Sequence, residues 1–199
     1  MPHDSSSRNT GRQQKDDDMR LSTLVRVGGA AAILAGVLRA ASSFASGGSE
    51  VERQALYFIV DLLLLLGAFA AYAQNHEAVG RWGAAGFLTT VAGTLLVRSS
   101  RAVPGLDLYP AGALSVAIGW VLLSLAWWRT AKGPGFVPVL FVLSIVTGLV
   151  GQIVSGASLF VVSGVIFGTA VAGAGRQVLL GVTTASRNEA SSVHPESAR

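Results

Sequence analysis

The run ALYFIVDLLLLLGAFAAYA, residues 55–73, holds nineteen residues and one charged group, Asp61. About 20 apolar residues at a 1.5 Å rise cross a hydrocarbon core of about 30 Å, so the stretch is long enough to span a bilayer. It is continuous, whereas a barrel strand alternates apolar and polar over about ten residues. Backbone amides inside lipid must bond within their own segment, which leaves an α-helix.

Working outward, five further stretches have the same character: 24–41, 80–97, 108–128, 136–154 and 157–175. The stretch at 80–97 is the weakest, because Trp82, Thr89 and Thr90 lower its hydropathy. Short segments rich in helix breakers separate them, among them Ser46-Gly47-Gly48-Ser49, Pro104-Gly105 and Lys132-Gly133-Pro134-Gly135. Short connections force antiparallel neighbours. The fold class expected is therefore all-α, a polytopic bundle of about six transmembrane helices over 21–182. The flanking segments 1–20 and 183–199 are polar and cannot bury enough surface to offset their ordering entropy, so both are expected to be disordered tails. A cleaved leader ending near Ser43-Phe44-Ala45 is disfavoured by Arg39 and by the aspartates at 16–18 ahead of the first span.

Composition agrees. The 199 residues are 51% hydrophobic and 13% charged, with a mean hydropathy of +0.53. Soluble domains carry about 25% charged residues, so this chain has too little polar surface for a dissolved globule. Its net charge of +4 fits basic loops beside membrane spans rather than nucleic-acid binding, for which no basic, aromatic-interleaved module exists. The chain has no cysteine, which excludes disulfides, thiolate metal sites and cysteine nucleophiles. The bias to Ala, Gly, Val and Arg, with Lys only at 15 and 132, is that of a high-GC bacterium, and a bacterial inner membrane is the expected location.

Basic residues set the orientation. Arg8, Arg12, Lys15, Arg20, Arg26, Arg81, Arg129, Lys132, Arg176, Arg187 and Arg199 fall on one side of a six-span chain, and Arg39, Arg53, Arg98 and Arg101 on the other. Positive charge stays inside, so both termini are expected in the cytoplasm. Tyr72, Trp82, Trp127 and Trp128 then belong to the inner interface, and Tyr57 and Tyr109 to the outer one. Trp120 lies mid-span.

Helices in lipid associate through close backbone approach. Small residues recur every fourth position at Gly28, Ala32, Gly36 and Ala40, at Ala111, Ser115 and Gly119, and at Gly164, Gly168 and Ala172. Spacing of four predicts a single face for each set. These faces serve either seams within the bundle or contact with a second copy or another membrane protein.

Asp61 is the most notable polar residue. It lies about 9 Å inside its span at 1.5 Å per residue, and a charge at such depth costs about 2–3 kcal/mol unless paired or hydrated. Arg39 and Arg98 end their spans at the same level, so Asp61 is expected to pair with one of them. With Glu50, Glu52, Arg53, Arg101, Asp107 and Tyr109 they make up an outer polar cluster. It reads either as a structural ion pair or as the mouth of a small transporter or channel. Thr89, Thr90, Thr147 and Gln152 more often bond their own carbonyls or a neighbouring helix than mark a path.

No HExxH, GxSxG or phosphate-binding loop occurs. Three scattered histidines, His3, His76 and His194, make no ligand spacing. Neither enzyme activity, nor a cofactor, nor a metal is expected. The basic Gly/Pro loop Arg129–Pro138 opening an apolar helix, and the Asp-Leu-Tyr-Pro stretch at 107–110, resemble segments of small bacterial multi-span proteins of unassigned activity. That resemblance implies architecture alone. The functional expectation is a non-enzymatic accessory or interaction protein of the membrane.

Overall fold

A computed structural model describes residues 6–44, 48–100, 107–130 and 135–192, with side chains from 21 to 183 within those ranges. Five helices follow in order: α1 (Ser6–Ser42), α2 (Glu50–Ser99), α3 (Tyr109–Arg129), α4 (Phe136–Val154) and α5 (Ala157–Ser192). No strand occurs among the described residues. Each helix contains a segment long and apolar enough to cross a membrane.

The element count differs from the six expected, and α2 is the reason. It runs fifty residues without a connecting loop, yet Gly80 inside it has φ 51° and ψ −145°, a region open in practice only to glycine. A straight helix would hold Asp61 and Arg98 about 56 Å apart at 1.5 Å per residue; instead their side chains are hydrogen-bonded. The chain therefore folds back at Gly80 into an outbound arm and a return arm. The register is that of a symmetric hairpin. Tyr72 and Phe87, eight and seven residues from Gly80, stack with ring centroids 5.5 Å apart. The polar stretch 74–79, expected to be a linker, is helical up to the hinge. There Asn75 donates to the Ala71 carbonyl at 3.2 Å and Gln74 to the Val178 carbonyl of α5 at 3.0 Å.

Sequence-local chemistry sets the helix ends. Ser49 and Glu52 form a reciprocal capping box at the start of α2, with Glu52 N–H donating to Ser49 Oγ at 3.3 Å and Ser49 N–H to Glu52 Oε2 at 2.7 Å. Asp107 accepts the Tyr109 N–H at 3.0 Å ahead of α3, and Pro110 occupies the first turn, where its missing N–H is harmless. Ser155 takes a left-handed φ of 52° to close α4, and the Gly156 N–H returns to the Gly151 carbonyl at 3.0 Å. Helical backbone also runs through 6–20 and 184–192, the polar segments expected to be tails. Extending an existing helix requires no new nucleus, so polar residues with fair helix propensity can follow its last apolar turn.

The helices close a ring. α1 packs on the outbound arm of α2, where a Cβ at Gly28 would meet Ala70 Cβ at 2.3 Å and one at Gly67 would meet Ala32 Cβ at 2.6 Å. The return arm and α3 approach through Gly86 and Gly93 against Gly112 and Gly119. Trp120 of α3 stacks on Phe141 of α4 at 5.5 Å, and Phe141 meets Phe167 of α5 edge-on at 5.4 Å. Ser144 and Ser163 clasp α4 to α5, each hydroxyl donating to the other residue's carbonyl at 3.0 and 2.9 Å. α5 then returns to α1, with Gly36 against the Gly168 carbonyl and Gly175 against the Gly29 carbonyl.

Candidate functional site

The candidate site lies near the C-terminal end of α1 and the ends of the two arms of α2 away from Gly80. Asp61 and Arg98 stand nineteen and eighteen residues from Gly80, so the hairpin register brings them face to face, and Arg98 Nη2 donates to Asp61 Oδ2. The Asp61 side chain is 23% exposed and that of Arg98 34%, so the pair reaches the outer surface of the hairpin rather than its core. The Arg98 guanidinium also lies over the Phe58 ring, 5.3 Å from its centroid, a contact that holds the cation by the ring's quadrupole. Of the two arginines expected as partners, Arg98 makes the direct bond. Arg39 of α1 makes no ion pair with Asp61.

The rest of the outer polar group does not converge on Asp61 in direct contact. Arg53 pairs with Glu50 three residues earlier on the same helix, and Gln54 donates to Glu50 at 2.9 Å. Glu52 bonds Ser49 in the capping box. Asp107 bonds its own turn, and Tyr109 is 49% exposed. Arg101 lies outside the described residues. Side chains at helix starts satisfy orphan backbone N–H groups, which is where Glu52 and Asp107 are used.

The small-residue ladders are placed in detail. Gly36 and Ala40 of α1 meet Gly168 and Ala172 of α5, while Gly164 faces Ser43. Gly28, however, faces Leu66 and Ala70 of α2 rather than α5. Four residues on a helix turn about 400°, so a ladder with that spacing drifts about 40° per step and about 120° over three. The set Gly28, Ala32, Gly36, Ala40 is thus not one face: it rotates from α2 to α5, with Ala32 touching Gly67 on one side and Gly175 on the other. In α3, Ala111 is exposed and Gly112 buried; the seam uses Gly112 and Gly119, seven apart, against Gly86 and Gly93 of α2, also seven apart. A period of seven keeps two helices in register where a period of four does not.

The intramembrane threonines bond their own helix, as expected for Thr89, Thr90 and Thr147; Thr94 joins them. Thr90 and Thr94 are buried and donate to the carbonyls of Gly86 and Thr90 at 3.0 and 2.9 Å. Thr89 and Thr147 bond back four residues likewise. Trp82 and Trp128 are exposed as an interfacial belt requires, but Trp127 is buried, 4% exposed. No group of three or more His, Cys, Asp or Glu able to hold a metal occurs among the described residues. The arrangement can fasten helices together and present a guanidinium at the surface. No family model, curated protein or solved structure matches the chain.

Proposed function

We propose that the chain is a six-span protein of a bacterial inner membrane with both termini in the cytoplasm, acting as a non-enzymatic accessory or interaction protein. The two arms of α2 supply two of the six spans. The observation that carries this reading is the Asp61–Arg98 bond across the hairpin. A carboxylate that moves a proton or cation through a bilayer must release and rebind its load, whereas one clamped to a guanidinium of its own helix fastens the fold. Glycine seams at backbone distance on three helix pairs support the same reading, since they hold the bundle as a rigid body.

Two experiments test it. The chain has no cysteine, so single cysteines can be introduced without removing others. Ser46→Cys and Ser155→Cys are expected to react with an impermeant maleimide in intact cells, and Ser7→Cys, Gly133→Cys and Ser191→Cys only after permeabilisation. Any reversal within either set breaks the six-span topology. Proton and cation flux is then measured in proteoliposomes with wild type and Asp61→Asn. Equal, background flux is expected. Flux abolished by Asp61→Asn establishes a small transporter or channel in its place.

A further inference from the structure

Two seams of the bundle are one seam built twice. Gly29 and Gly36 of α1 face Gly175 and Gly168 of α5, and Gly112 and Gly119 of α3 face Gly93 and Gly86 of the return arm of α2. Gly112 and Gly119 follow Gly29 and Gly36 by 83 residues, and Gly168 and Gly175 follow Gly86 and Gly93 by 82. The neighbours correspond as well as the glycines. A Cβ at Gly36 would meet Ala172 N at 2.7 Å, and one at Gly119 would meet Thr90 N at 2.5 Å. A Cβ at Gly175 would meet the Gly29 carbonyl oxygen at 2.6 Å and Ile33 N at 2.9 Å; one at Gly93 would meet the Gly112 carbonyl oxygen at 2.8 Å and Val116 N at 2.6 Å. Thr90 and Ala172 are again 82 apart, and Ile33 and Val116 again 83. Glycine at backbone contact is common wherever helices pack in lipid, but unrelated seams have no reason to share one offset along the chain.

The correspondence reverses direction. Short connections make α1 and the outbound arm antiparallel, the hairpin at Gly80 turns the return arm parallel to α1, and α3 packs antiparallel to the return arm through Gly86 against Gly119 and Gly93 against Gly112. So α3 runs opposite to its counterpart α1, and α5 opposite to the return arm. The middle helices also correspond. The outbound arm and α4 each lead into a hairpin that turns on a residue of positive φ, Gly80 at 51° and Ser155 at 52°. From turn to first seam glycine is six residues in one hairpin and thirteen in the other, a difference of about two helical turns, so the hairpins differ in length where the seams do not. We propose that the chain is an inverted duplication: one unit of α1 with the two arms of α2, a second of α3 with α4 and α5, joined by a single interface used twice. A second copy is inverted only if each unit has an odd number of spans, and three helices meet that condition. The orientation of the units in the bilayer rests on the membrane-spanning reading; their interface does not. The surface each unit presents to the other is therefore specific for a unit of its own kind, and counterpart residues are interchangeable in register.

The test exchanges counterparts in the full chain. Residues 112–119 take the sequence of 29–36 through Leu114→Ala, Ser115→Ala, Val116→Ile, Ala117→Leu and Ile118→Ala, with Gly112, Ala113 and Gly119 already in common. Leu114 and Ile118 are exposed, so the exchange takes nothing from the core there. Unfolding in mixed micelles is expected at the wild-type midpoint. Gly112→Ala, whose Cβ would meet Val97 N at 2.6 Å, is expected to lower the midpoint equally in wild type and in the exchanged chain, because the seam is the same. An exchange that lowers the midpoint as far as Gly112→Ala does overturns the proposal. A smaller pair of variants decides the matter if the five changes together block folding. Ser115→Ala with Val116→Ile supplies the counterparts Ala32 and Ile33, whereas Ser115→Ile with Val116→Ala supplies the same side chains in reversed order. The first is expected to match wild type and the second to unfold earlier; equal midpoints, or the opposite ranking, overturn the proposal. Alkaline carbonate extraction of native membranes separates the two claims: a chain released by carbonate fails the membrane-spanning reading, while the exchange alone decides the duplication.

Discussion

Replacing Gly119 by alanine tests the seam between α3 and the return arm of α2 at its tightest point. A Cβ there would stand 2.3 Å from Thr90 Oγ1, 2.5 Å from Thr90 N and 2.7 Å from the Gly86 carbonyl oxygen. Two of these are backbone atoms, and the hydroxyl is held by its own bond to Gly86 at 3.0 Å. No side chain can swing aside, so the helices must separate by about 1 Å to restore an ordinary contact. A gap of 0.5–1 Å forfeits about a quarter to a half of the dispersion well for each atom pair along the seam, and overpacking a close-fitting site costs about 1–3 kcal/mol. Backbone against backbone belongs at the upper end, about 3 kcal/mol, offset by about 1 kcal/mol because alanine is the better helix former. The expected net loss is about 2 kcal/mol. Gly173→Ala is the control: its Cβ would meet side chains rather than backbone, the Phe136 ring at 3.2 Å and Val137 Cγ2 at 3.5 Å, and the propensity gain should leave it neutral to slightly stabilising. Equilibrium unfolding in mixed micelles with increasing dodecyl sulfate, followed by tryptophan fluorescence, measures both. Trp120 adjoins Gly119 in α3 and is buried. If Gly119→Ala unfolds at the wild-type midpoint, the helices are not held at backbone distance and the reasoning fails.

Three other outcomes follow from the same structure. Gly80→Ala meets no atom within 4 Å, so any loss comes from the backbone alone; about 1–3 kcal/mol is expected for a side chain forced into that conformation, and a midpoint equal to wild type would show that the hinge can rearrange freely. For Asp61→Asn and Arg98→Gln, the double variant should lose about 1–2 kcal/mol less than the sum of the singles, whereas additive losses in the unfolding cycle would mean the two charges are not coupled. Ser144→Ala with Ser163→Ala removes two interhelical bonds and should cost about 1–2 kcal/mol, given an average of about 0.6 kcal/mol per such bond in a membrane; no change in unfolding would mean the clasp is replaceable by packing.

Hydropathy made the apolar segments legible, because span length and continuity are set by the bilayer and require no tertiary knowledge. The return at Gly80 was placed within a residue by the start of the third apolar stretch. Its form was not foreseen, since the residues before it, Gln74 to Val79, look like loop and are helical. A single glycine whose φ/ψ reverses a helix leaves no periodic trace. Asp61 announced itself by depth, and its two reachable arginines were evident from charge and span ends. Choosing between them required the hairpin register, which only the stacking of Tyr72 on Phe87 and the length of each arm define. The glycine ladders were visible as spacing, but which neighbour each rung meets was not. Drift of about 40° per four residues sends Gly28 and Gly36 to different helices. The heptad spacing of Gly86, Gly93, Gly112 and Gly119 sets the seam between α3 and the return arm, whereas the four-residue ladder read in α3 started from Ala111, which is exposed.

The pairing of α1 with α5 also has a consequence in time. Between Ser42, where α1 ends, and Ala157, where α5 begins, a ribosome working at about 5–20 residues per second takes about 6–23 s. For that interval the surface of α1 that carries Gly29, Gly36 and Ala40 has no partner from its own chain, while the hairpin of α2 and its contact with α3 can already form. Something must occupy that surface meanwhile, whether lipid or the insertion machinery. Assembly of this bundle is therefore completed by its last helix, and a chain that stops short of α5 keeps an open flank however well its first helices are inserted.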